Sequence, residues 1–364
     1  MSRDPAPARP RRRRLLRWLL ALSALLIASA ILPRCASAPP PGSPAHHAPG
    51  GFRNLHSGAA QKSLLRFFWM RLTTDWADHE AQRDEVPRRP VDRAALRAPE
   101  AGVQATWIGH STYLLQLGGK NILTDPIFSE RASPVSWAGP KRYQPPALSI
   151  DELPPIDFVL ISHNHYDHLD LESARQIGDR ARWLVPLKNA PLLRSVGISR
   201  ITELDWWGRW EEAGLSFTAT PVQHWSARGV SDRFEMLWSG WAIEGAGARL
   251  YFAGDTGYNP VDFKETGRRL GPFDLALIPI GAYAPRDFMR MMHINPAEAV
   301  QIHRELRSRR SLAIHWGTFP LTAEAPGDPP AALRAALSAA GLPEEAFQAP
   351  PLGTTTQIHP AASP

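Results

Sequence analysis

From Val103 onward, apolar residues come in short blocks separated by Gly, Pro, Asp and Asn. "VQATWIG" (103–109) and "STYLLQLGGKNILTDP" (111–126) read as strands, the second folding back on itself at Gly118-Gly119. "DFVLIS" (157–162) is apolar without interruption, as a strand buried on both faces should be. "ESARQIGDR" (172–180) predicts a helix and "RWLVP" (182–186) another strand. "LSFTATPVQ", "WSGWAIEG", "RLYFAGD" and "DLALIPIG" continue the strands. "NPAEAVQIHREL" (295–306) has the signature of a helix start, with Asn295 as N-cap, Pro296 at the first position and Glu298 at the third. "RSLAIHWG" (310–317) is expected to be the last strand. Strands and helices alternate, many strands are short, and no internal repeat is visible. The pattern predicts two sheets packed face to face with helices outside.

The N-terminal part differs. Residues 1–40 hold eight Arg and one Asp, which accounts for the formal +6 of the 364-residue chain and leaves the remainder close to neutral. The folded part is therefore not a basic nucleic-acid binder, and no nucleic acid is expected as partner. "RPRRRRLLRWLLALSALLIASAIL" joins a basic stretch to an apolar run too short for an ordinary span of about 20 residues. Residues 1–35 read as an export signal or retained membrane anchor, which places the rest outside the cytoplasm, periplasmic or held at the inner membrane. Residues 36–60, rich in Pro, Gly and Ala, read as a linker, with His46 and His47 expected in solvent. The segment 62–83 predicts an amphipathic helix, packed on the core or lying on a membrane. The catalytic domain is expected to fill residues 61–358. Cys35 is the single cysteine, so disulfides within the chain and thiolate-rich zinc sites are excluded.

Candidate chemistry concentrates in "SHNHYDHLD" (162–170), directly after the buried "DFVLI" run. Strand residues two apart share a face, so His163 and His165 point together, and Asp167 and His168 follow in the loop. Four ligand-type residues within six positions would repel one another without a cation; neutral imidazoles and carboxylates are the donors zinc takes. His224, Asp255 and His315 each end a predicted strand, and strand ends at one rim converge. Singly, each has a bland role in a loop, a turn or the core. Together the seven residues suffice for two metals.

The segments "WIGHSTYLLQL", "ILTDPIFS", "SHNHYDHLD", "FAGDTGY", "IPIGAY", "HINPAEAV" and "IHWGTF" resemble the metallo-β-lactamase superfamily, in particular the N-acyl-phosphatidylethanolamine-hydrolysing phospholipase D group. The likeness covers roughly residues 64–322. It implies an α/β fold, the αββα sandwich, in a single catalytic domain. It also implies two Zn²⁺: His163, His165 and His224 on one, Asp167, His168 and His315 on the other, Asp255 bridging them with a hydroxide. Iron or manganese suits the same donors. His293 matches a family histidine beside the substrate phosphate; otherwise it reads as a surface residue ahead of a helix. Asp125 is a candidate acceptor for a ligand's ring N–H or a turn cap, and His110 a buried structural histidine near the site. Tyr166 and Tyr283 are candidates for the pocket mouth.

The resemblance implies a phosphodiesterase acting on an N-acyl-phosphatidylethanolamine-type phospholipid at a membrane surface, with Asp167 and His293 as catalytic residues and a homodimer as one oligomeric state. A net positive dizinc site, about +1 by formal count, favours an anionic substrate. The thirteen Trp residues are mostly packing, with a few left to line an acyl groove or sit at a lipid interface. Two rivals stand. One is a lactonase or nucleotide phosphodiesterase on the same scaffold; the other is a non-enzymatic metal-binding envelope scaffold.

Overall fold

The structure, a computed structural model, describes residues 38–57, 64–229 and 231–360. A short hairpin comes first, β1 (His47–Ala48) against β2 (Gly51–Phe52). Then follow β3 (Val103–Gly109), β4 (Thr112–Leu117), β5 (Lys120–Thr124), β6 (Phe158–Leu160), β7 (Arg182–Pro186) and β8 (Ile201–Leu204). The other layer holds β9 (Arg209–Glu212), β10 (Leu215–Thr220), β11 (Gly240–Gly245), β12 (Ala248–Phe252), β13 (Leu275–Pro279), β14 (Arg310–Ile314) and β15 (Phe347–Gln348). The chain then returns to the first layer as β16 (Thr355–Ile358), antiparallel to β3. Each layer is a seven-stranded sheet. In both, antiparallel neighbours lead into a parallel half, β5 to β8 and β12 to β15. The αββα sandwich read from the sequence is the fold.

Strand alternation builds the layers. Phe158 and Leu160 of β6 face the core between the sheets, whereas Val159, with Ile161 just beyond, faces the outer helices. Leu184 of β7 points inward and Trp183 and Val185 outward. Trp107, Trp183, Trp238 and Trp241 are fully buried, so packing explains much of the indole content. The helix Pro296–Glu305 starts as expected: Asn295 accepts from the Glu298 N–H while the Glu298 side chain accepts from the Asn295 N–H. His303 is buried on that helix, its Nδ1 2.8 Å from Ser311 Oγ, which makes it a packing residue.

Strand direction then positions the site. β3, β5 and β6 run the same way in one sheet, and β10, β12 and β14 run the same way in the other. The loop after each carries His110, Asp125, His163, His224, Asp255 or His315. Three of these, His110, Asp125 and His315, hold a left-handed backbone (φ +54°, +33° and +58°), which costs a non-glycine residue on the order of 1 kcal/mol. Gly254 (φ +60°) has no such freedom to change: a Cβ there would lie 2.4 Å from Ser162 Cβ.

Several expectations are corrected. β14 is not the last strand; β15 and β16 follow it. The helix expected over 62–83 is Leu64–Thr73 in its described part, after which the chain is drawn across to Ala323, whose carbonyl accepts from the Ala77 N–H. From His46 on, the described part of the stretch read as a linker is docked. His46 is buried, both imidazoles bond Asp205, and Phe52 joins the inter-sheet core. Residues 1–35, read as signal or anchor, lie outside the described residues. Among the described residues no helix is long and apolar enough to cross a membrane.

Candidate metal centre

Three imidazole nitrogens face one another at the rim. His163 Nε2 lies 2.8 Å from His165 Nδ1, and His224 Nε2 lies 3.4 Å from the same atom. The ring hydrogens of His163 and His224 are committed elsewhere. His163 Nδ1 is 2.9 Å from Ser162 Oγ, which in turn donates to Asp125; His224 Nδ1 donates to the Met292 carbonyl at 2.9 Å. Both Nε2 atoms therefore present lone pairs. Burial first, and neighbouring imidazoles after it, hold His163 well below the ordinary histidine range; burial, outweighing Asp255, does the same for His224. His165 is lowered to about 4, again chiefly by burial.

The second group forms around Asp167. Its Oδ2 is 3.0 Å from His110 Nε2, 3.3 Å from His315 Nε2 and 3.4 Å from His168 Nε2. Asp255 stands between the groups. Its Oδ2 lies 3.1 Å from His315 Nε2 and 3.2 Å from His168 Nε2 on one side, and 3.7 Å from His224 Nε2 and 4.0 Å from His163 Nε2 on the other. The seven ligand candidates, scattered from 163 to 315, meet at one place.

The electrostatics fit a bound cation. Burial pushes His168 toward neutrality, yet Asp255, Asp167 and Asp125 outweigh it and raise its pKa well above the ordinary value. His315 is raised to about 9, Asp255 overcoming burial. Burial would raise Asp167 and Asp255, but His168 leads the groups that hold both carboxyls well below the usual range. Two buried carboxylates thus draw protons onto ligand-type imidazoles, which is where a metal's charge would go. Buried His168 Nε2, His165 Nε2 and Asp255 Oδ1 have no hydrogen-bond partner. The donor set, imidazole and carboxylate alone, fits a metal.

Around the ligands a supporting shell is built. Fully buried Asp125 accepts from His168 Nδ1 at 2.6 Å and from the Ser162 N–H at 2.7 Å. This is the arrangement that fixes a ligand tautomer. His110 is buried and turned onto Asp167, so it steadies that carboxylate; burial first, then His315, lower it to about 3. His293 is brought to the centre, its Nδ1 3.8 Å from Asp255 Oδ2 and without a partner. Its segment is pinned three ways. Gln223 donates to the Met291 carbonyl, His224 to that of Met292 and Arg286 to that of His293. The Tyr166 hydroxyl donates to the Arg228 carbonyl at 2.7 Å. Tyr283 lies on the loop after β13, its N–H donating to Glu324.

Sequence reasoning missed Asn54. Its side-chain amide donates to the His224 carbonyl at 2.8 Å and accepts from the His224 N–H at 3.1 Å. No local pattern marks this role, since the residue sits in a Pro/Gly-rich stretch that reads as spacer. Ser162 was missed too, although its place directly before His163 was a usable signal. A groove of about 860 Å³ lies at the opposite rim, lined by Arg97, Gly118 and Glu152 among others, and contains none of these ligands.

Comparison with known proteins agrees with this geometry. The Beta-lactamase superfamily domain matches residues 120–316. A Caenorhabditis elegans N-acyl-phosphatidylethanolamine-hydrolyzing phospholipase D is 47% identical over 234 residues, covering 61% of this chain and 66% of the relative. The mitochondrial enzyme of that name from Saccharomyces cerevisiae is 36% identical over 247 residues, 66% of this chain and 52% of the relative. The match thus spans just under two thirds of the first relative's length and about half of the second's. The structure of an isothiocyanate hydrolase from Delia radicum gut bacteria superposes with a TM-score of 0.58 at 22% identity, over 70% of this chain and 99% of that one, a likeness of fold. With these candidate ligands assembled on this sandwich, the chain belongs to the beta-lactamase superfamily, and within it is similar to the N-acyl-phosphatidylethanolamine-hydrolysing phospholipases D.

Proposed function

We propose that the protein hydrolyses a phosphodiester, in a phospholipid of the N-acyl-phosphatidylethanolamine type, using two zinc ions. The observation that carries this reading is the Asp255 carboxylate, within 4.0 Å of imidazole nitrogens from both ligand groups. His163, His165 and His224 would hold one ion, Asp167, His168 and His315 the other, and Asp255 both. When bound, such a pair supplies Lewis acidity and lowers the pKa of water to about 7.

The chain's own residues do the rest. Asp167, steadied by His110, orients the attacking water at the second group. His293, pulled down to about 4 chiefly by burial, is a neutral imidazole at pH 7. It therefore serves as a hydrogen-bond donor to a phosphoryl oxygen and not as a fixed positive charge. Its pinned backbone keeps the ring beside Asp255.

The lipid part of the proposal has separate support. Trp69 is 69% and Leu72 83% exposed on the helix Leu64–Thr73, and Trp137 is 79% exposed. Arg66, on that helix, reaches Asp287 at 3.7 Å, beside the turn leading to His293. Exposed indole near the site suits a lipid–water boundary. Export or membrane attachment through residues 1–35 belongs to the same proposal. The test is mass spectrometry of products from membrane phospholipid extract incubated with zinc-loaded protein. Release of phosphatidic acid is the expected result; hydrolysis confined to lactones or other neutral esters would sink the reading.

A further inference from the structure

Most arginines near the centre are spent on structure. Arg228 donates to the carbonyls of Asn164 (2.9 Å) and Leu169 (2.8 Å) and lies 4.0 Å over the Tyr166 ring. Arg142 donates to the carbonyls of Ile127 and Ser129. Arg286 is held by both oxygens of Glu298.

Arg233 is different. Its guanidinium carbon lies 4.2 Å from the Trp225 ring centroid and 5.3 Å from that of Phe234. Its Nε is buried with no partner, and among the described residues no carboxylate stands within ion-pair distance. The adjacent Asp232 is not available, since its two oxygens accept from the N–H groups of Arg228 (2.7 Å) and Gly229 (2.8 Å). The Trp225 ring in turn packs 4.4 Å from the ligand His165 and follows the ligand His224 in sequence. A half-buried cation thus sits one indole away from the metal ligands, its charge unneutralised and its donors largely free. Burial of a charged group without a partner is costly, so such a group persists where a ligand completes it. The planar fork of a guanidinium matches two oxygens of a phosphate.

We propose that Arg233 is an anion-binding residue of the substrate site. It takes a charged phosphoryl oxygen beside the group formed by His163, His165 and His224, and so makes the centre prefer anionic phosphodiesters to neutral esters of the same leaving group. The proposal rests on the phosphodiesterase reading and adds to it the residue that selects for charge. Arg233 carries no proton in the reaction; its contribution is to substrate binding, helped by the flat Trp225 face that holds the guanidinium in place.

The experiment uses the zinc-loaded full chain, with Arg233→Gln and Arg233→Lys. Two substrates share the 4-nitrophenoxide leaving group, the anionic bis(4-nitrophenyl) phosphate and the neutral dimethyl 4-nitrophenyl phosphate. Inorganic phosphate binding is followed by calorimetry. In Arg233→Gln the KM for the diester is expected to rise about tenfold while kcat holds within about threefold. Phosphate affinity should fall about tenfold, and triester turnover and zinc content should not change. Arg233→Lys should recover part of the loss. Equal losses on diester and triester, or phosphate affinity unchanged in Arg233→Gln, would overturn the proposal and leave Arg233 as a prop for Trp225. If the wild type cleaves no diester yet binds phosphate through Arg233, the phosphodiesterase reading fails and the anion site stands.

Discussion

His46 and His47 meet Asp205 through their Nε2 atoms at 2.6 and 2.8 Å, one imidazole to each carboxylate oxygen. In the other cluster, His163 Nε2 meets a second imidazole nitrogen, His165 Nδ1, at 2.8 Å. Both groups gather histidine and aspartate closely enough to hold an ion. They differ in their hydrogen-bond accounts. At Asp205 each N–H finds an acceptor, and His46 also stacks on Trp206 at 4.3 Å. At the centre, the hydrogens of His163 and His224 are committed elsewhere, both Nε2 atoms face His165 Nδ1, and buried polar atoms, His165 Nε2 among them, are left over. Hydrogen bonds complete the first cluster, and only a cation completes the second. The first fastens the strap of residues 46–54; the second is the candidate metal centre. They are linked, because Asn54 at the end of that strap clamps the backbone of ligand His224.

The comparison can be broken most directly at its metal end. Asp255→Asn, or removal of metal with a chelator, should abolish turnover by about a thousandfold or more, and zinc should restore the chelated wild type. Metal analysis of the purified protein should give about two ions per chain. Three ions, falling to two in Asp205→Asn, would show that the Asp205 cluster also binds metal and would undo the contrast. Next in size is Asp125→Asn, which takes the charged acceptor from His168. A loss of roughly ten- to hundredfold in metal affinity or activity is expected, measured by zinc titration and kcat/KM. Asn54→Ala should weaken metal binding less, by a few fold, since it frees the His224 backbone without touching the ring; about 1–3 kcal/mol is at stake for the unpaired buried groups.

The smallest effect is expected from Asp205→Asn, near 1 kcal/mol of stability with kcat nearly unchanged, seen as faster proteolysis before residue 57. Its pH dependence has a definite sign. Burial would raise the Asp205 carboxyl, but the bonds from His46 and His47 more than offset that and hold it below its ordinary value. A depressed carboxyl adds stability above its unfolded pKa and loses it as pH falls through the folded one. The strap should therefore hold at neutral pH and loosen only below the ordinary carboxylate range.

Much of the sandwich was legible because its strands advertise themselves locally. "VQATWIG" and "RWLVP" are the strands Val103–Gly109 and Arg182–Pro186, and Gly118-Gly119 turns the β4–β5 hairpin. That the candidate ligands would meet was legible for a related reason: four fall in one short motif, and the others follow strands at positions of telling chemical type. β16 was not legible. "TTQI" has no apolar alternation to announce it, and it exists because β3 offers it an edge about 250 residues away in sequence.

The sequence by itself determined where most of the central strands lie, which side chains could bind metal, and that carboxylates and imidazoles would end up in the same rim loops. Those are consequences of short-range periodicity and side-chain chemistry. Only the tertiary structure decided that the supposed spacer docks through His46 and His47, that Asn54 reaches His224, that His110 turns onto Asp167, and that Arg233 lies unpaired over Trp225. Most of these contacts join distant segments, and even Arg233 depends on how its loop closes over the rim. No periodicity encodes them, because their free energy comes from burial and from satisfying polar groups after the layers have closed.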